Sequence, residues 1–342
     1  MRKFPILCAL FLLFSCSGTD RYIQVSGQAQ GGAYTVKLNM KEVAVPAETV
    51  RDSIDAILIH IDTTLSGYNK RSLLSRFNAG EPVRPNALFL EMYGFAYRMW
   101  ERSAGAVDCA AGPLFDTWGF GFREGTPPTD REVEALREQC GMEKLPRALP
   151  LKDGVLDPAD LGFPRLNFNA VAQGYSCDLV ARYLYGLGVK DMLVDIGEIW
   201  CDGHNPSGKP WAVGMDRPVD REGDSVIGDE GLTGVWSSEG RPCGVVTSGN
   251  YRKFYVRDGR KYAHTIDPVS GYPVQHNLLS ATVVSSEGAG VADAVATWYM
   301  VVGLDKAREL VQADSTLEAW LVYADENGEM HEWASPGFTL RQ

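Results

Sequence analysis

A chain of 342 residues, 45% hydrophobic and 23% charged, has ordinary globular composition and enough length for one large domain or two lobes. Its 33 basic against 44 acidic residues leave a formal net charge of −11, which argues against nucleic-acid binding, since that needs a basic surface. A polyanionic ligand would need a local positive centre such as a bound cation.

At the N-terminus, Met1-Arg2-Lys3 precedes an apolar run from Phe4 to Phe14 and then Ser15-Cys16-Ser17. Two cations, small residues and a run shorter than the roughly 20 residues of a membrane span make residues 1–15 an export signal. Cys16, following Leu13-Phe14-Ser15, resembles the lipid-bearing cysteine of a bacterial lipobox, so 16–27 is expected to be a tether and 28–342 the folded domain. A buried strand or an uncleaved anchor is the alternative. Beyond Cys16 stand Cys109, Cys140, Cys177, Cys201 and Cys243. None is spaced C-x-x-C and their number is odd, so neither a zinc site nor a disulfide framework is expected.

Ala33 to Leu38 alternates as a strand. After Pro46, residues 47–65 place Val50, Ile54, Ile57, Leu58, Ile61 and Leu65 on one helical stripe. A second helix is predicted from Asn86 to Arg102, with Gly105 as its stop signal, and Thr129-Asp130-Arg131-Glu132 is a capping box opening a short helix that ends before Gly141. Residues 170–185 read as helix, then 192–196, 244–248, 253–257 and 280–285 as strands, and 289–302 as a last helix. The polar stretch 216–233 reads as an exposed insertion. Irregular alternation with hairpin-like spacing late in the chain predicts an α+β fold rather than a doubly wound parallel sheet.

On the last helix Asp293 and Thr297 are four residues apart and share a face, an oxygen pair suited to a hard cation such as Mg²⁺. By itself the pair is more often a helix-start charge and a backbone-bonded hydroxyl. His264, ahead of the turn-forming Asp267-Pro268-Val269-Ser270-Gly271, suits a general base or a ligand-contacting donor, though a lone histidine is more often structural. Leu166 to Tyr175 passes from a strand into a helix, where exposed backbone N–H groups can meet phosphates. The glycines fit neither a Walker loop nor a dinucleotide fingerprint, and no Gly-x-Ser-x-Gly or His-Glu-x-x-His occurs.

The order of several short blocks is more specific. Gly31-Gly32-Ala33-Tyr34, Ser66-Gly67-Tyr68-Asn69 running on to Asn78, Gly105-Ala106-Val107-Asp108, Gly112-Pro113-Leu114 and Trp118-Gly119-Phe120-Gly121 come first. Asn169-Ala170-Val171-Ala172-Gln173-Gly174-Tyr175, Ser248-Gly249-Asn250-Tyr251-Arg252, the stretch from His264 to Pro273, and Ala292-Asp293-Ala294-Val295-Ala296-Thr297 follow. In this order they resemble the ApbE family of flavin transferases, from about residue 28 to 325.

The resemblance implies an α+β fold of two lobes, with mixed, largely antiparallel sheets, flanking helices and the flavin in the cleft between them. It implies FAD as substrate, Mg²⁺ as cofactor, and transfer of FMN to a threonine or serine of acceptor flavoproteins, with release of AMP. The cation is expected on Ala170 and Ala296 through their carbonyls and on Asp293 and Thr297. Flavin contacts are expected from Gln30, Tyr68, Ala106, Val107, Asp108, Asn167, Gln173 and Ile266. Gln30 stands where Met is frequent in the family, Asn167 where Asp is, and Gln173 where Lys or Glu is. His264 is the expected proton acceptor, with Asp267 or a metal-bound water as substitutes. Water in place of the acceptor would make the same site an FAD pyrophosphatase. A non-catalytic FAD-binding lipoprotein, or an exported solute-binding protein, are the other readings. Together with Cys16, the resemblance implies an inner-membrane lipoprotein facing the periplasm, acting on flavoprotein subunits of membrane redox complexes.

Overall fold

The computed structural model of the chain describes residues 21–119, 128–216, 232–250, 254–257, 260–263 and 265–341. The export signal, Cys16, Phe120, Gly121, Tyr251, Arg252, His264 and most of the 216–233 insertion lie outside the described residues.

Strands β1 (Tyr22–Ala29) and β2 (Gly32–Asn39) form a hairpin. Its two-residue turn has positive φ at both Gln30 and Gly31, the geometry that matches strand twist. Helix α1 (Ala47–Leu65) buries the expected stripe, with Ile57 half-buried at its edge. Next come α2 (Leu73–Asn78), capped by the Ser72 hydroxyl, and α3 (Ala87–Arg102), capped by Asn86. The backbone turns out of α3 through Gly105, whose N–H closes on the Trp100 carbonyl at 3.0 Å with φ of 91°. Helices α4 (Gly112–Thr117) and α5 (Asp130–Arg137) follow, and the Thr129–Glu132 capping box opens α5 as predicted.

After α6 (Ala172–Gly186) the chain is mostly strand: β3 (Met192–Asp195), β4 (Ile199–Asp202), β5 (Ala212–Asp216), β6 (Leu232–Ser237) and β7 (Cys243–Gly249). Short hairpins β8 (Phe254–Arg257) with β9 (Arg260–Ala263) and β10 (Ile266–Asp267) with β11 (Tyr272–Pro273) lead to β12 (Leu278–Ser285). Helices α7 (Ala289–Val302) and α8 (Leu304–Ala313) and strands β13 (Leu317–Ala324), β14 (Met330–Ala334) and β15 (Leu340–Arg341) complete the fold.

Eight strands make the main sheet in the order β1-β2-β3-β4-β7-β12-β13-β14, and every described ladder is antiparallel. The α+β expectation therefore holds. Alternation along the strands sorts the two faces. Val246, Ala281, Val283, Ala319 and Leu321 point to the helical layer, while Cys201, Cys243, Val245, Val284, Trp320 and Val322 point the other way. That second face is covered by the small sheet β15-β6-β5 with Trp211, Trp236 and Phe338. Burying both faces explains why these strands read as apolar runs rather than as strict alternation.

Candidate active site

Helices α6 and α7 meet at their N-termini, and each is capped by a carboxylate of the other. Asp178 on α6 accepts the N–H groups of Ala289 at 2.7 Å and Gly290 at 2.9 Å. Asp293 on α7 accepts the N–H of Gly174 at 3.0 Å. These N–H groups have no partner within their own helix, so the exchange satisfies both ends. Only glycines allow so close a crossing. A Cβ on Gly174 would lie 2.2 Å from the Ala289 carbonyl oxygen, and one on Gly244 would lie 2.3 Å from the Ala289 Cα.

The Asp293 side chain is 6% exposed and has no basic partner among the described residues. Burial pushes its carboxyl up to about 8, opposed by the Gly174 hydrogen bond and reinforced by Asp178. One turn along α7, the half-buried Thr297 hydroxyl has no hydrogen bond among the described residues. Gly174 gives its N–H to Asp293, so the Ala170 carbonyl, four residues earlier, lacks the helical donor it would otherwise take. A buried carboxylate short of positive charge, a free hydroxyl and a free carbonyl form an oxygen donor set that fits a hard cation. Ala296 is fully buried on the same helix. The dipoles of the two helix N-termini favour the negative charge that Asp178 and Asp293 place there.

The segment entering α6 gathers the expected flavin residues. Asn78 clamps Leu166 through two 2.8 Å bonds, and the Asn167 N–H meets the Cys109 carbonyl at 2.7 Å, joining this segment to residues 106–108. The Asn167 side chain accepts the Asn169 N–H at 2.9 Å, and Asn169 Nδ2 donates to the Tyr68 hydroxyl at 3.3 Å. Tyr68 is 65% exposed, an aromatic ring open to solvent beside the site. Gln173 Nε2 reaches the Ile196 carbonyl at 3.4 Å, and Gln30 Nε2 donates to Ser176 Oγ at 2.5 Å, bringing the β1–β2 turn onto α6.

Other expected contacts sit deeper. Asp108 spends its carboxylate on the N–H groups of Ala110 and Met142 at 2.7–3.1 Å, and burial raises it to about 6. Ala106, Val107 and Ile266 are buried, Ile266 in a small cluster with Leu114, Trp118 and Val133. Val107 and Ile266 carry no polar side-chain atom, and the Val107 N–H is taken by Ser103 Oγ at 2.9 Å. A hollow of about 290 Å³ lies between Gly105, Asp108, Leu114, Cys140 and the Pro268-Val269 turn. A larger one, about 580 Å³, lined by Arg71, Arg76 and Arg84, contains none of the expected site residues. Asp267 accepts the N–H groups of Val269 and Ser270 on its two carboxylate oxygens, which fixes the turn that it opens. His264 lies outside the described residues. Its neighbour Thr265 is tied to Asn250 by a 2.5 Å hydrogen bond, which links two of the sequence blocks.

Sequence reasoning missed Asp178. Its signal was a Gly288-Ala289-Gly290 helix start lacking any capping side chain of its own.

A protein-family model described as the ApbE family matches residues 30–321. A protein named FAD:protein FMN transferase from Haemophilus influenzae is 31% identical over 327 residues, covering 92% of this chain and 90% of that protein. One of the same name from Vibrio cholerae is 31% identical over 339 residues, covering 97% and 96%. Among solved structures, the apo flavinyl transferase ApbE of Pseudomonas stutzeri is similar with a TM-score of 0.78, at 30% identity over 93% of this chain and 95% of that one.

Proposed function

The chain belongs to the ApbE family and is a transferase, and from that premise we propose that it moves FMN from FAD onto a threonine or serine hydroxyl of acceptor flavoproteins, releasing AMP. The observation that carries the reading is the crossed capping of α6 and α7, which holds the Asp293 carboxylate beside two helix N-termini.

The residues divide the work. Asp293, Thr297 and the carbonyls of Ala170 and Ala296 would hold Mg²⁺. When bound, it supplies Lewis-acid charge neutralisation for the pyrophosphate and the departing AMP. The Gln173 N–H, the first-turn donor of α6 that is not spent on Phe168, Val171 or Asp293, orients a phosphate oxygen. Tyr68 covers the isoalloxazine face, and Asn167, Gln173, Gln30 and the main chain at 106–108 and Ile266 fix its polar edge. The acceptor hydroxyl forms a P–O bond to the FMN-side phosphorus, the anhydride P–O bond breaks, and the hydroxyl proton passes to His264. We also place the chain outside the cytoplasm, held at the inner membrane by a lipid on Cys16 and facing the periplasm, where flavoprotein subunits of redox complexes are its partners. No helix among the described residues is long and apolar enough to cross a membrane.

The test is incubation of the chain with FAD, Mg²⁺ and a threonine-bearing acceptor domain, followed by mass spectrometry. An FMN adduct on the acceptor supports transfer. Free FMN and AMP alone would make the protein a pyrophosphatase, and unchanged FAD would leave only a binding role.

A further inference from the structure

The narrowest joint of the main sheet lies between β4 and β7. Only three residue pairs match there, Ile199 with Val245, Trp200 with Gly244, and Cys201 with Cys243, against eight between β1 and β2 and six between β7 and β12. This joint connects the β1-β2-β3-β4 half of the sheet to the β7-β12-β13-β14 half, and a cysteine pair closes it.

Cys201 and Cys243 face each other across the ladder with sulfurs 3.8 Å apart, the only described cysteines in such contact. Facing residues of an antiparallel pair have Cα atoms about 4.5–5.5 Å apart, inside the range that a disulfide spans. Closing the sulfurs to a bond takes roughly 1.8 Å, within reach of side-chain rotation alone. The other cysteines are placed differently: Cys177 donates to the Glu198 carbonyl at 3.0 Å, and among the described residues neither Cys109 nor Cys140 has a cysteine sulfur in contact. An odd cysteine count is compatible with one bridge.

We propose that Cys201 and Cys243 form a disulfide when the chain folds in an oxidising compartment, and that this bond staples the two halves of the sheet. The oxidant is a disulfide-bearing thiol compound or protein. One thiolate attacks it and forms a mixed disulfide with release of one thiol. The second cysteine thiolate then attacks the mixed disulfide, forming the Cys201–Cys243 bond and releasing the second thiol. Two S–H bonds are lost, two electrons reduce the oxidant, and both protons end on its two thiols. Both sulfurs are buried under Trp211, Trp236 and Trp320, so the exchange takes place before the small sheet closes over them. Their separation of 42 residues encloses the insertion after β5, so the bond also limits the freedom of that segment in the unfolded chain. Nothing in this inference depends on the flavin reading.

The full chain, isolated from an exporting host with its thiols blocked under denaturing conditions, should yield one crosslinked peptide pair containing Cys201 and Cys243, lighter by two hydrogens. Cys109, Cys140 and Cys177 should carry the blocking group. Reductant should lower the melting temperature of the parent by several degrees and leave a Cys201→Ser/Cys243→Ser double variant unchanged. Full alkylation of both residues in a cooperatively melting chain, or pairing of either with another cysteine, would overturn the proposal. A bond whose reduction leaves the melting temperature unmoved would overturn its role as a staple.

Discussion

Replacing Gly174 by Ala tests the crossing of α6 and α7 at its tightest point. The added Cβ would fall 2.2 Å from the Ala289 carbonyl oxygen and 2.9 Å from the Asp293 Cβ, whereas ordinary contact begins at 3.4 Å. The helices must therefore part by about 1.2 Å, because the obstacle is backbone and no flexible side chain can give way. Overpacking of this kind costs about 1–3 kcal/mol, offset by up to ~1 kcal/mol from the better helix propensity of alanine. Activity should fall further than stability. Displacing Asp293 from the start of α6 by about 1 Å separates the proposed metal and phosphate groups, and such misplacement costs on the order of 10²-fold in rate. Gly186→Ala, at the far end of α6 with open space around it, is the internal control and should be neutral or mildly stabilising. Urea midpoints and FMN transfer are measured for both. If Gly174→Ala matches Gly186→Ala in both assays, the close crossing does not organise the site.

Three other outcomes are expected. Asp293→Ala should lose transfer across a magnesium titration while unfolding stays cooperative, and parental turnover would remove Asp293 from the ligand set. Tyr68→Ala, at a solvent-open position, should change stability by less than about 0.5 kcal/mol but weaken FAD binding measured by fluorescence quenching; unchanged affinity would take Tyr68 out of the flavin site. Burial raises the Asp178 carboxyl from 3.8 to about 6, against the N–H bonds from Gly290 and Ala289. The folded chain then holds a proton that the unfolded chain releases, so stability from this group falls as pH rises from about 4 to 6 and levels off above. Asp178→Asn, which cannot ionise, should lack that fall when urea midpoints are compared across the window. Parallel profiles would refute the assignment.

What could be read from the sequence followed from locality. The stripe of α1, the Thr129 capping box and the Asp293–Thr297 spacing each depend on residues within a few positions of one another. Strand order was illegible because β4 pairs with β7 across a long separation that no periodicity encodes. The same holds for Asp178, which looks like a surface residue of α6 but works on α7. Asp108 carried a ligand expectation from its motif, yet two backbone partners hold its carboxylate, one of them 34 residues away. Such commitments arise from tertiary burial, where a polar group must find whichever donor the fold brings to it.

The partners in the crossed caps stand 111 and 119 positions apart along the chain. Closing them fixes contacts of long sequence separation, whose loop-closure entropy grows with the length of chain enclosed. The proposed site therefore needs segments from both ends of that long interval, and no shorter stretch of the chain contains it.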